Sequence, residues 1–81
     1  MNRETIVKKT QEVFRDIFDE PSLVIYNEMS SNNLASWDSL HHINLLIAIQ
    51  NEFQIKFDLQ EIQRLKNVGA IIDLVWQKQA Q

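Results

Sequence analysis

The chain has 81 residues, a formal net charge of −3, 44% apolar residues and no cysteine. That is room for one domain with a modest core, and too little wall for a large enzyme cleft. Disulfides, thiolate metal sites and thiol catalysis are excluded, no basic stripe is dense enough for nucleic acid, and no stretch is long and apolar enough to span a bilayer.

The first helix is predicted over residues 4–19, where Ile6, Val7, Val13, Phe14, Ile17 and Phe18 recur near helical spacing. Asn2 and Thr5 are the candidate caps, and Glu20-Pro21 ends the helix because proline lacks the amide that a continuing helix needs. The opening MNRETIVKKTQEVF has basic residues but no continuous apolar run, so no secretory signal is expected and a cytoplasmic protein is.

Residues 21–38 form a long connection. Leu23, Val24, Ile25 and Tyr26 are expected to fold back over the core, as are Leu34 and Trp37, while Ser30, Ser31, Asn32 and Asn33 read as turn-forming. From Asp16 to Asp38 there are five carboxylates (Asp16, Asp19, Glu20, Glu28, Asp38) and no Lys or Arg. This is either a solvated face or a surface for basic partners.

The second helix is predicted over 39–53, with Leu40, Ile43, Leu46, Ile47, Ile49 and Phe53 as its apolar face and Asp38 at its start. Ile55 and Phe57 are expected to point inward from the link at 54–58. Asp58 can cap a short third helix over 59–65. The last helix is predicted over 67–79, with Asn67 as cap, Val68, Ile71, Ile72, Val75 and Trp76 toward the core, and Gly69 placed for close packing. These faces close around one core. The expected architecture is all-α, one domain over 1–81, built of three long helices and one short one, monomeric.

Ser39 lies near two imidazoles, a pattern that invites comparison with nucleophilic hydrolases, yet nothing marks the third, orienting acid. His41 and His42 are adjacent, so on a helix they point about 100° apart and cannot share a metal as an i, i+4 pair can. They are read as lying beside whatever Ser39 carries, as facing partner proteins, or as solvated surface. The oddity is Trp37-Asp38-Ser39-Leu40, a polar pair between a large apolar side chain and an apolar helix. Read without reference to any family, it is ordinary capping: Asp38 caps, Trp37 packs and Ser39 is a bystander.

The segment LASWDSLHHINLLIAIQNEFQIKF, residues 34–57, resembles the central region of acyl carrier proteins and peptidyl carrier domains, whose hallmark is Asp-Ser-Leu at the start of the second helix, here Asp38-Ser39-Leu40. Glu52-Phe53 and the run Leu65-Lys66-Asn67-Val68-Gly69-Ala70-Ile71 are also similar to that family. The resemblance implies an acyl-carrier-like four-helix bundle and a carrier rather than an enzyme. It implies that a phosphopantetheinyl transferase joins 4′-phosphopantetheine to Ser39, and that the thiol of this arm holds an acyl or aminoacyl group as a thioester. Asp38 and Leu40 would support the motif, Leu40 by anchoring the turn and Asp38 by fixing it and helping to place the transferase's divalent metal. The carrier itself needs no metal. Partners would be the transferase, an acyl- or aminoacyl-loading enzyme and downstream transferases or synthases, docking on Asp38, Leu40, His41, Ile43 and Asn44. Neither nucleic acid nor membrane is an expected partner.

The sequence departs from many fatty-acid carriers, whose second helix is strongly acidic: after the motif it has His41, His42, Asn44 and Gln50, with Glu52 the only carboxylate. The expectation is a free-standing carrier of a specialised polyketide, nonribosomal or related pathway. The alternatives are a general fatty-acid-synthesis carrier and a helical adaptor without prosthetic group.

Overall fold

The structure, a computed structural model, describes residues 1–80. Four helices follow one another: α1 Arg3–Phe18, α2 Ser39–Phe53, α3 Leu59–Arg64 and α4 Val68–Gln79. Each begins on a residue whose side chain closes the first turn. Asn2, Asp38, Asp58 and Asn67 accept from the backbone N–H three residues on, and Asp58 with Glu61 completes a reciprocal capping box. Thr5 is therefore the recipient of the Asn2 cap and not a cap itself, with its N–H donating to Asn2 Oδ1 at 2.8 Å.

α1 stops at Phe18 because Asp19 turns into the left-handed region (φ 52°), and its N–H closes back on Arg15 and Asp16 carbonyls. The stop thus comes before Glu20-Pro21. α2 ends the same way on Gln54, φ 54°.

The apolar faces of α1, α2 and α4 meet in one core that includes Ile6, Phe14, Leu45, Leu46, Ile49, Phe53, Val68, Ile71, Ile72 and Val75. Burying each such side chain is worth roughly 1.5–3 kcal/mol. The buried face of α2 is rotated from the predicted one. Leu45 is in the core, whereas Leu40, Ile43 and Ile47 form an exposed stripe along the opposite side. α2 is apolar on nearly all sides, so periodicity alone did not fix which stripe faces inward. Trp76 also lies outside the core, half-exposed with the Arg3 guanidinium 5.7 Å from its ring centroid.

The long connection is less free than its composition suggests. Arg15 Nε donates to the Leu23 carbonyl at 2.8 Å, and Ile25 N–H donates to Gln11 Oε1 at 3.1 Å, so α1 holds its first half. Met29 is buried, and the carbonyls of Asn27 and Met29 accept from Gly69 and Val68 N–H, each at 2.9 Å. Ser30 and Asn67 add an isolated antiparallel bridge. Gly69 suits this seam, because a Cβ there would stand a tight 3.1 Å from the Asn27 carbonyl oxygen and push the two segments apart by a few tenths of an ångström. Of the four expected apolar residues, Ile25 is buried and Leu23 half-buried; Val24 and Tyr26 point out, as alternation in an extended segment dictates. Trp37 is buried and Leu34 packs against the core as expected.

The second linkage, 54–58, is closed by side chains. Gln50 accepts from Phe57 N–H at 2.9 Å, and Gln79 Nε2 donates to the Phe53 carbonyl at 2.7 Å. The half-buried pair Lys78–Glu61, 3.0 Å, ties α3 to α4. Among the described residues, no helix is long and apolar enough to cross a membrane.

Candidate functional site

Ser39 is the first residue of α2 and is solvent-exposed. Its position is set from both sides. Beneath it, Trp37 is only 4% exposed, its ring packed edge-on against Phe14 (centroids 5.3 Å) and beside Phe18 (6.0 Å). Ahead of it, Asp38 Oδ1 accepts from His41 N–H at 2.8 Å and caps the helix. The same oxygen lies 2.8 Å from His41 Nδ1. Accepting the His41 backbone N–H, and then its side chain, holds the Asp38 carboxyl below the usual carboxylate range. As an ionised carboxylate only accepts, His41 places its proton on Nδ1.

His42 is in the opposite tautomer. Trp37 Nε1–H donates to His42 Nδ1 at 2.9 Å, so a neutral His42 carries its proton on Nε2. Partial burial lowers the pKa of His42 and favours the neutral ring. Each imidazole is also stacked: His41 on Phe18 (5.6 Å, 17°) and His42 on Trp37 (5.9 Å, 28°). The two histidines therefore pin the first turn of α2 to the end of α1 and to the core, and they do so through different ring nitrogens.

The expected site residues come together as follows. Asp38, Ser39 and His41 share one turn. Leu40, Ile43 and Asn44 are all exposed on α2 beyond Ser39. The expectation that Leu40 anchors the turn is corrected: its side chain is 65% exposed, and the anchoring falls to Trp37, Asp38 and the two imidazoles. The inward reading of Ile43 is likewise corrected, since it is 56% exposed. Among the described residues no cluster of three or more His, Cys, Asp or Glu could hold a metal.

An open groove of about 830 Å³ runs beside Ser39, between the 28–32 loop and the α3–α4 junction. Glu28, Asn32, Gln63 and Lys66 give it polar walls, with Trp37, Ile62 and Leu65 below. Sequence reading missed this groove and the Trp37–His42 bond. Both depend on where the long connection docks, and a five-residue spacing marks no standard helix contact.

The geometry displays the Ser39 hydroxyl at the open end of α2, where another protein can reach it. No family model matches the chain. It is similar to an acyl carrier protein of Thermosynechococcus vestitus, 27% identical over 81 residues that span 99% of each chain. It is also similar to the holo acyl carrier protein of Geobacter metallireducens, solved by solution NMR: TM-score 0.86 and 43% identity, covering 91% of this chain and 85% of that one.

Proposed function

This chain belongs to the acyl carrier proteins, and we propose that it holds its cargo on a 4′-phosphopantetheine arm joined to Ser39 Oγ. It is a carrier and not an enzyme. The observation that carries the reading is Ser39 itself, an exposed hydroxyl at the first position of α2 within Asp38-Ser39-Leu40, in a chain 43% identical to a holo carrier. Attachment forms the Ser39 Oγ–P bond and breaks the pyrophosphate P–O bond of coenzyme A, with adenosine 3′,5′-bisphosphate leaving on the bridging oxygen and the serine proton passing to the transferase. The thiol at the end of the arm then takes the acyl or aminoacyl group as a thioester. Asp38 fixes the turn through its cap.

Partners dock on Asp38, Leu40, His41, Ile43 and Asn44, because a flexible arm rooted at one helix end obliges an enzyme to approach that end. The exposed stripe Leu40, Ile43 and Ile47 supports an apolar contact there, and the scarcity of carboxylates on α2 supports enzymes of a specialised polyketide, nonribosomal or related pathway over those of general fatty-acid synthesis. Incubation with coenzyme A, Mg²⁺ and a broad-specificity transferase, followed by intact mass spectrometry, is expected to add one phosphopantetheine group to the wild type and none to Ser39→Ala. No gain beside a carrier modified in the same tube would falsify the carrier reading. For the pathway, the same acyl group is loaded on this chain and on a fatty-acid carrier. Equal or faster transfer from this chain to fatty-acid synthase enzymes refutes the specialised assignment.

A further inference from the structure

The Trp37–His42 bond spends one ring nitrogen of His42 on the core and leaves the other available. Nδ1 accepts the indole N–H at 2.9 Å, so Nε2 bears the proton, and among the described residues Nε2–H has no protein acceptor. His42 lines the same groove as Ser39. The two residues are one turn apart on α2, where i and i+3 side chains are neighbours and the later one leans back over the earlier. A donor of fixed tautomer, braced by an indole that is itself wedged against Phe14 and Phe18, thus lines the same groove as the residue to which the arm is joined.

We propose that His42 is a binding residue for the arm, donating Nε2–H to a phosphodiester oxygen on Ser39 and so directing the arm into the groove. This rests on attachment at Ser39. Trp37 acts through His42 as a positioning residue: without its N–H the ring has no reason to keep the proton on Nε2. His41 cannot serve in the same way through its Nδ1, which is engaged by Asp38. The other charged groups on the groove are Glu28 from the long connection, Asp38 at the start of α2 and Lys66 between α3 and α4.

The test compares His42 in unmodified and phosphopantetheinylated protein by ¹⁵N NMR of the imidazole rings and ³¹P NMR of the arm, with attachment verified by mass. In the unmodified protein, burial keeps the ring neutral toward lower pH than an ordinary histidine. A phosphodiester anion accepting from Nε2 favours the charged form, so the His42 titration is expected to move up in pH on attachment, while Ser39→Ala put through the same reaction keeps the starting value. The phosphodiester has no proton of its own to lose in this range, so an inflection in its ³¹P resonance reports a neighbour. That inflection is expected in the wild type, to persist in His41→Gln and to vanish in His42→Gln. A modified protein whose His42 titration is unmoved, or whose ³¹P inflection survives His42→Gln or disappears in His41→Gln, overturns the role of His42 alone. Absence of any mass gain removes the attachment on which it rests.

Discussion

Thr10 is fully buried in α1, in a core otherwise built of apolar side chains, and its hydroxyl has no hydrogen-bond partner. Burying a hydroxyl without a partner costs about 1–3 kcal/mol. Valine has nearly the same shape, a similar helix propensity and no such group to desolvate. Thr10→Val is therefore expected to stabilise the domain by about 1 kcal/mol, which for a chain of this length raises Tm by about 4–8 °C. Thr10→Ser is the matched control. It keeps the unpaired hydroxyl and deletes a methyl group, and is expected to destabilise by about 1 kcal/mol. Urea denaturation at fixed pH, followed by circular dichroism at the helical band, measures both, with an unchanged m-value showing that the same surface is exposed. If Thr10→Val is no more stable than wild type, the hydroxyl has a partner after all. A threonine hydroxyl in a helix can bond the carbonyl four residues back, and the desolvation reasoning is then wrong.

Other expectations follow from the caps and from the two imidazoles. Gln54→Gly is expected to stabilise by about 1 kcal/mol in the same assay, because glycine adopts the left-handed conformation at this helix end without a steric penalty. Asp38→Asn retains a cap acceptor and Asp38→Ala does not. If Asp38 serves only to fix the turn, the Asn variant accepts the arm at close to the wild-type rate and the Ala variant more slowly; equal loss in both assigns the charge a role with the transferase's metal. Because the His42 pKa is lowered in the fold by burial, its stabilising effect is complete above the ordinary histidine value of 6.5 and is lost as pH falls through the folded value. Thermal denaturation from pH 7 downward is expected to show this loss in wild type and less of it in His42→Gln. Trp37→Phe keeps an aromatic ring against Phe14 and Phe18 but deletes the indole donor, so ¹⁵N spectra of His42 are expected to change from one tautomer to a mixture.

The helices were legible because their punctuation is local. Asn2, Asp38, Asp58 and Asn67 are short polar residues placed just before apolar periodic runs, and all four cap. The placement of Ser39 at the start of α2 was legible through the residues around it. The inner face of α2 was not, because Leu40, Ile43 and Ile47 match helical spacing as well as Leu45, Leu46 and Ile49 do, and only the positions of α1 and α4 decide between them. The long connection misled for a related reason. Its polar residues suggest a free loop across 28–36, yet Met29 and the carbonyls on either side of Glu28 are held by α4, and Leu34 packs against the core. Those contacts come from residues far away in sequence, and no local pattern announces them.

The seam between Asn27–Met29 and Val68–Gly69 has a kinetic consequence. Most helical bundles fold fast because neighbouring helices find one another across short loops. Here the first turn of α4 is completed by carbonyls about forty residues earlier, so a large loop must close before those N–H groups have partners. The segment 27–29 is therefore set late, together with the start of α4, and not with α2 alone. Amide exchange at Val68 and Gly69 follows the same event from the other side: a refolding chain protects α1 and α2 first and these two amides last.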